Sequence, residues 1–313
     1  MIRFIYKIVV FTFPILIFIC FSEFIIKQIP NDYSYKNEYL TKNAQHIQIL
    51  ILGSSHSFFG INPKYFSKNS FNAAHVSQSL KYDLFILKKF NKNFSNLKVL
   101  ILPISYFTLF TQLEDGQEHW RAKYYSLYYN CRYHSNLMYN TEVMTSKPLT
   151  IIELLIKYFN GENNITVSNL GFGLSYTNTA QSDLRKSGIS AAKRHTKNSN
   201  MNLLDTNLKL LSNIFTECDK MGVHPIIFTP PAWKSYRDNI DIKQFSMMKT
   251  SLASVLKKYA NVKYYDFMED DRFHKVDYKD ADHLNDIGAK KLTRILDEII
   301  QTNDKIYIKN LFR

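Results

Sequence analysis

The chain has 313 residues, of which 45% are hydrophobic and 21% are charged. This composition allows an ordinary buried core and excludes a wholly disordered chain. Lysine and arginine total 40 against 27 aspartates and glutamates, so the formal net charge is +13. A basic chain can bind nucleic acid, an anionic membrane surface or an anionic polymer. The sequence has no nucleic-acid-binding motif and no dense Lys/Arg stripe with interleaved aromatics, which argues against nucleic acid.

The N-terminus carries a long apolar segment from Ile8 to Ile26. A helix of about 19 residues spans roughly 28 Å, close to the hydrocarbon thickness of a bilayer. Arg3 and Lys7 precede it, which favours a cytoplasmic N-terminus and an exported body. We therefore predict a membrane anchor over residues 1–27. The protein is then a single-pass protein of the cell membrane, with its body in the periplasm or outside the cell.

Three alternatives to an uncleaved anchor were weighed. A cleaved signal peptide requires a small-x-small site, and residues 22–30 offer none. A lipoprotein signal requires a small residue before Cys20, where Ile19 stands. A buried helix of a soluble protein is disfavoured because the apolar residues surround the whole helix.

The rest of the chain divides by composition. Residues 28–45 are polar and predict a juxtamembrane linker, residues 46–302 predict one domain, and residues 303–313 predict a C-terminal tail. An insertion at about 107–200 interrupts the domain. It is tyrosine-rich and then rich in Gly, Asn and Ser, and it is too long for a plain loop. We expect it to be helical near Leu149 to Phe159 and to cap a site.

Apolar runs and helical patterns alternate along the domain. Strands are predicted at 47–52, 70–74, 97–104, 223–229 and 262–267, and helices at 80–90, 203–220, 242–259 and 287–300. Such alternation predicts an α/β fold, a three-layer α/β/α sandwich around a parallel five-stranded sheet, preceded by one transmembrane helix. Active sites in such sheets lie at the carboxyl ends of the strands.

Two short segments carry residues suited to nucleophilic catalysis. The first strand is followed by Gly53-Ser54-Ser55-His56-Ser57, where a turn displays a serine at the sheet edge. Asp280 and His283 lie before the last helix, and an Asp three residues before a His can accept the Nδ1 proton. Each segment alone also fits a structural turn or a helix start. Together they suggest a Ser–His–Asp triad.

These segments resemble the first and last blocks of the SGNH/GDSL hydrolases. The family pattern G-D-S-x-S matches residues 53–57 with Ser54 in place of Asp, and D-x-x-H matches residues 280–283. The resemblance covers about residues 46–106 and 203–300. It implies that Ser55 attacks an acyl ester, that His283 takes its proton and that Asp280 orients His283. Asp282 is the second candidate for the orienting acid.

The family's middle blocks match less closely. Its N-x-G-x-x-G block aligns with Asn72 to Ser77, so the resemblance implies that the backbone N–H of Ser77 binds the oxyanion. The family's G-x-N-D block aligns with a segment in which Ser105 is the nearest replacement for the second donor. The loss of one such donor typically lowers the rate by about 10²–10³.

Several other residues also fit ordinary structural roles. Five further histidines are expected to pack locally, and the last three of them, in the insertion, have no metal-ligand spacing: His56, His75, His119, His134 and His195. Trp233 and the tyrosines of residues 124–133 suit sugar contact as well as packing. No metal or cofactor is predicted, and a disulfide between Cys131 and Cys218 is left open.

The expected function is that of a serine-dependent esterase or O-acyltransferase of a cell-envelope polysaccharide, with acetyl as the expected acyl group. Expected partners are an acylated envelope glycan, the membrane and a membrane acyltransferase, and no nucleic acid. The alternative is an inactive SGNH-like scaffold that binds a glycan or a membrane acyltransferase, suggested by the weak middle blocks. A third, weaker hypothesis is an intracellular lipid esterase held at the inner face of the membrane.

Overall fold

The computed structural model describes residues 1–133 and 139–302. Two compact units are present. The first contains Met1–Asn37 and Trp120–Ile165, and the second contains Glu38–His119 and the chain from Thr166 onward. The predicted tail, residues 303–313, lies outside the described residues.

The elements follow the predicted alternation. The helices are α1 (Ile2–Gln28), α2 (Asp32–Asn43), α3 (Ser55–Phe58), α4 (Leu80–Phe90), α5 (Ala122–Tyr129), α6 (Pro148–Phe159), α7 (Leu184–Lys197), α8 (Leu204–Lys220), α9 (Lys234–Arg237), α10 (Ile242–Leu256) and α11 (Asp286–Gln301). The strands are β1 (Ile49–Ile51), β2 (Ser70–Asn72), β3 (Val99–Pro103), β4 (His224–Thr229), β5 (Lys263–Asp266), β6 (Tyr278–Asp280) and β7 (His283–Leu284).

The second unit is built on a five-stranded sheet of order β2-β1-β3-β4-β5, in which all pairs are parallel. This confirms the predicted fold class. The chain runs from β1 to β2 on one side and then returns past β1 to β3. The direction of the crossovers therefore reverses between β1 and β3. Ligand sites of such sheets lie at the carboxyl ends of the strands at this switch point.

Helices cover both faces of the sheet. On one face, alternate strand residues share a core cluster with the apolar stripe of α11: Ile49, Ile51, Ile101, Phe228, Leu292, Ile295 and Leu296. Because side chains alternate along a strand, Leu50 and Leu100 point to the opposite face, and both are fully buried. There α8 contacts β4, and α4 packs on α8. The sheet is thus the middle layer of three.

The first unit contains α1, α5 and α6. α1 is long and apolar enough to cross a membrane, as the sequence predicts, and only Ser22, Ile25 and Ile26 among its residues are buried. Near its end, the Glu23 carboxylate accepts the backbone N–H groups of Glu142 and Val143, each at 2.9 Å.

The segment predicted as a linker, residues 28–45, contains the helix α2. Asn31 caps its start, because the Asn31 side chain accepts the backbone N–H groups of Tyr33 and Ser34 at 3.0 and 3.1 Å. Leu40 of the same helix is fully buried. A cap and a few buried side chains are enough to fold a polar segment whose composition alone suggests an irregular one.

Gly53 follows β1 in a left-handed conformation, with φ of +109°, and a Cβ there would lie 2.5 Å from Pro103 Cδ. We expect Gly53→Ala to lower the free energy of unfolding by about 1–3 kcal/mol, since it adds both backbone strain and a clash. Thermal unfolding of the full chain in detergent measures this. Gly116→Ala is the matched control, because its nearest new contact would be 3.6 Å away. Equal stability of the two variants would contradict the strain.

Candidate active site

Ser55 lies at the carboxyl end of β1, beside the switch point of the sheet. The positive φ of Gly53 turns the chain sharply after the strand, and Ser55 is the first residue of α3. Its Oγ lies 2.8 Å from Nε2 of His283. The two residues are 228 positions apart in the chain, so the fold brings together the two segments that the sequence singles out.

Asp280 holds His283 through the turn between β6 and β7. Its Oδ1 accepts the backbone N–H groups of Asp282 at 3.1 Å and of His283 at 2.9 Å. The same oxygen lies 3.0 Å from His283 Nδ1. An Asp three residues before a His can therefore fold back as predicted. With Nδ1–H donated to Asp280, Nε2 is left as the acceptor that faces Ser55.

A second carboxylate also approaches His283. Asp282 Oδ1 lies 3.6 Å from His283 Nδ1, although the two residues are adjacent and their side chains are expected to point apart. Asp282 lies in the turn between β6 and β7, where the alternation of side chains along a strand does not apply. Asp282 is buried, whereas the Asp280 side chain is 21% exposed.

His56 forms a layer behind the imidazole of His283. The two rings are stacked, with centroids 4.9 Å apart and an interplanar angle of 14°. His56 Nδ1 lies 3.0 Å from Ser105 Oγ, and His56 is hydrogen-bonded to the backbone of Asp282. The Ser105 hydroxyl is therefore engaged with His56, and its role as an oxyanion donor stays a prediction. Ser105 is buried against His56 and does not line the cavity in front of Ser55.

His195 lies on the other side of Asp282. Its Nδ1 is 2.8 Å from the hydroxyl of Tyr236, and its Nε2 is 3.8 Å from Asp282 Oδ2. The Phe107 ring packs on the imidazole at a centroid distance of 4.1 Å. Lone histidines are usually structural, and no sequence pattern connects His56 and His195 with Ser55, His283 and Asp280. Their proximity depends on β1 and α7 meeting at the same strand ends.

The three imidazoles differ in their pKa values. Burial lowers the pKa of His56 to about 3 and holds the pKa of His195 well below its ordinary value. Burial also acts to lower the pKa of His283, but the carboxylates of Asp282 and Asp280 outweigh it and raise that pKa to about 9. His283 is thus the imidazole that carries a proton at neutral pH while its neighbours stay neutral.

The carboxyl groups of Asp280 and Asp282 also differ in their pKa values. Burial opposes the ionised form of Asp280, yet the charge and hydrogen bond of His283 hold its pKa well below the usual range. Burial, reinforced by the charge of Asp280, raises the pKa of Asp282 to about 6. Asp280 is therefore the permanent anion of the group.

A cavity of about 320 Å³ opens in front of Ser55. Ser77 lines it together with Ser55 and His283. Neither the backbone N–H of Ser55 nor that of Ser77 has an acceptor among the described residues, so both are available to a substrate oxygen. Ser77 adopts φ of +60°. The turn therefore has the left-handed conformation that favours glycine, and a serine adopts it here.

Two residues that the sequence did not single out hold these turns together. Asp83 of α4 accepts the backbone N–H of Gly53 at 2.8 Å and the side-chain amide of Gln78 at 2.6 Å. It thereby links the turn of Ser55 to the turn of Ser77. Asn72 donates to the carbonyl oxygens of Ser57 and Ile61 at 2.7 and 2.8 Å. In the sequence, Asp83 can be recognised as a lone acidic residue on the apolar stripe of α4.

Three side chains here are of types that can bind a metal ion, and they lie close together. The ligand atoms of His56, Asp282 and His283 are within 4.8 Å of one another. The ring nitrogens of His283 already contact Ser55 and Asp280. Those of His56 are engaged by Ser105 and by the backbone of Asp282. The arrangement is accounted for as a hydrogen-bonded cluster.

The remaining candidates have other surroundings. His75 is buried, His119 is exposed, and His134 lies outside the described residues. Trp233 packs on Tyr278 at a centroid distance of 5.5 Å and joins the core. The described tyrosines of residues 124–133 belong to the first unit. Cys131 and Cys218 are both free thiols.

Comparison with known protein families finds no matching family model, and comparison with curated proteins finds no match. Among solved structures, the chain is similar to a protein from Streptococcus pneumonia provisionally described as a platelet activating factor. Their TM-score is 0.43 at 10% identity, covering 92% of this chain and 97% of that one.

A second similar structure is a protein from Bacteroides fragilis provisionally described as an acylhydrolase. The TM-score is 0.40 at 10% identity, covering 84% of this chain and 94% of that one. Similarity at this level does not assign a function, which rests on the residues of this chain.

The pKa of about 9 at His283 predicts an alkaline pH profile. A general base works only when it is unprotonated, so kcat/KM toward a neutral ester should rise about tenfold per pH unit below the midpoint and level off above it. Asp282→Asn removes an anion that raises this pKa. We expect its midpoint to move to lower pH in stopped-flow ester hydrolysis. An unchanged midpoint in Asp282→Asn would argue against a charge effect of Asp282.

Proposed function

We propose that the chain is a serine-dependent ester hydrolase or O-acyltransferase that acts on acyl esters of a cell-envelope polysaccharide. The observation that carries the proposal is the chain of hydrogen bonds from Ser55 through His283 to Asp280, with distances of 2.8 and 3.0 Å. A nucleophile, a base and an orienting acid in this geometry are the requirements of covalent acyl transfer. The chain's resemblance to the SGNH/GDSL hydrolases at residues 53–57 and 280–283 agrees with it.

The chemistry has two stages. In the first, Ser55 Oγ forms a bond to the ester carbonyl carbon while its proton passes to His283 Nε2. The backbone N–H groups of Ser55 and Ser77 hold the oxyanion. The bond to the glycan oxygen then breaks, His283 returns the proton to that oxygen, and an acyl-Ser55 remains. In the second stage water or a sugar hydroxyl loses a proton to His283 and takes the acyl group, which releases Ser55.

The proposed substrate and location rest on further features. The cavity lining includes neutral hydroxyl and amide side chains, among them Thr108, Thr111, Gln112 and Asn198, which can bind sugar hydroxyls. Acetyl is the acyl group we propose. The apolar helix α1 and the basic residues near its start favour a body tethered outside the cytoplasm.

The nucleophile can be tested on the full chain in detergent with a serine-reactive fluorophosphonate and intact-mass detection. We expect one adduct on the wild type and none on Ser55→Ala. His283→Ala should react at least about 10³-fold more slowly, because its base is lost. Ser54→Ala is the matched control, since Ser54 also lines the cavity, and it should be labelled normally.

Acetate release from an acetylated glycan should follow the same order among the variants. Labelling of Ser55→Ala as fast as the wild type would contradict the assignment of the nucleophile. A folded wild type with neither adduct nor turnover would favour the inactive, glycan-binding scaffold.

A further inference from the structure

One wall of the cavity is formed in part by α7. The Asp183 side chain caps the start of this helix, and its buried face contains Leu184, Gly188, Ala191 and Ala192. A Cβ at Gly188 would lie 2.2 Å from Ser235 Oγ, so α7 packs closely on α9. This packing fixes the C-terminal turn of α7, from which Arg194, His195 and Asn198 line the cavity.

Among the described residues that line this cavity, Arg194 is the only lysine or arginine. It forms no ion pair with any described residue. Its guanidinium lies 3.4 Å from Nε2 of His195, which is a neutral imidazole. The charge of Arg194 acts against protonation of His283 as well as of His195. The cation therefore stands near the reacting groups without an anion of its own.

The two acidic residues that line the cavity do not neutralise the charge of Arg194. Asp83 is buried, and its carboxylate is hydrogen-bonded to Gly53 and Gln78. Glu118, the other acid of the lining, makes no ion pair with Arg194 in the described chain. A guanidinium beside a cavity binds carboxylates and phosphates through paired N–H groups. The remaining lining combines amides and hydroxyls with apolar side chains, and both can contact an uncharged sugar ring.

We propose that Arg194 selects substrates that carry an anionic group, a carboxylate or a phosphate, on the sugar beside the reacting ester. The inference rests on the proposed function for the ester, but the binding preference is independent of turnover. An anion held there would pair with Arg194 and offset its effect on His283. Arg194 is a specificity-determining residue in this account, and it takes no part in bond making.

Binding can be measured in the Ser55→Ala background of the full chain in detergent, where substrate is not consumed. The probes are O-acetylated methyl glucoside, the corresponding glucuronoside and the corresponding 6-phosphate, with affinity read by calorimetry. We expect the anionic probes to bind about tenfold more tightly than the neutral one at low salt. Adding Arg194→Gln should remove that preference and leave the neutral probe within about twofold.

Lys193→Gln is the matched control, because it removes the same charge from the adjacent exposed residue, which does not line the cavity. It should keep the preference. The two anionic probes distinguish a carboxylate from a phosphate. Equal affinity for charged and neutral probes, or a loss in Lys193→Gln as large as in Arg194→Gln, overturns the inference. Turnover of the same esters by the wild type reports separately on the proposed function.

In the first unit, α6 has an exposed apolar stripe. Four apolar side chains spaced three, four and three residues apart form one exposed stripe along it: Leu149 (73% exposed), Ile152 (50%), Ile156 (54%) and Phe159 (71%). α6 packs on α1. The segment before α6 is fixed to the end of α1, where Glu23 accepts the N–H groups of Glu142 and Val143. The exposed stripe is therefore continuous with the apolar surface of α1.

We propose that the stripe of α6 inserts into the same bilayer as α1, among the lipid acyl chains of the leaflet where α1 ends. A helix of 12 residues is about 18 Å long and too short to span the hydrocarbon core. It is suited to lie at the interface with its apolar side chains buried. Glu23 and Lys27, which form an ion pair at 2.7 Å, mark the polar boundary at the end of α1.

The test uses the full chain reconstituted in phosphatidylethanolamine and phosphatidylglycerol vesicles that contain a lipid with an acyl-chain diazirine. After illumination, peptide mass spectrometry should find label in α1 and in residues 148–159. The start of α10 is the internal control, because Ile242 is 81% exposed but belongs to the second unit, and it should stay unlabelled. Ile152→Asn with Ile156→Asn should lower labelling of α6 at least about fivefold and leave α1 unchanged. Label in α1 without label in α6 overturns the proposal.

Discussion

The hydrogen bonding of β1 between β2 and β3 is the constraint on which the site depends. It fixes the reversal of the crossovers at the carboxyl end of β1, where Gly53 turns the chain and Ser55 follows. Asp83 then ties this turn to the turn of Ser77 through Gly53 and Gln78. Because the strands are buried on both faces, these turns have little freedom to move. The sheet therefore fixes the positions of Ser55 and Ser77.

The electrostatics of the site follow from uneven burial. Two of its imidazoles, His56 and His195, are kept neutral by burial, whereas His283 faces two carboxylates and binds a proton readily. The neutral His56 can therefore stack on His283 without placing two cations face to face. Burial and the charge of Asp280 raise the pKa of Asp282 to about 6, so Asp282 takes up a proton at a higher pH than Asp280 does. The cluster thus limits its own net charge.

The sheet and the contact between Asp280 and His283 could be predicted because each depends on a local pattern. Short apolar runs indicated the strands, and Asp280 needs only a turn to reach His283. The contact between Ser105 and His56 could not be predicted, since the two residues follow different strands and no local pattern joins them. Asp83 and α2 were missed for a related reason. A buried acid and a capped polar helix owe their structure to contacts that are distant in sequence, and composition does not reveal such contacts.

The commitment of His283 Nδ1 to Asp280 has a consequence for the order of events. Every proton that His283 handles must pass through Nε2, on the side of Ser55. Under the proposed chemistry, the departing glycan and the incoming acceptor therefore meet the same atom in succession and cannot be bound there together. The enzyme would follow ping-pong kinetics. Deacylated glycan would compete with water for the acyl group, so accumulated product would turn net hydrolysis into exchange of acyl groups between chains.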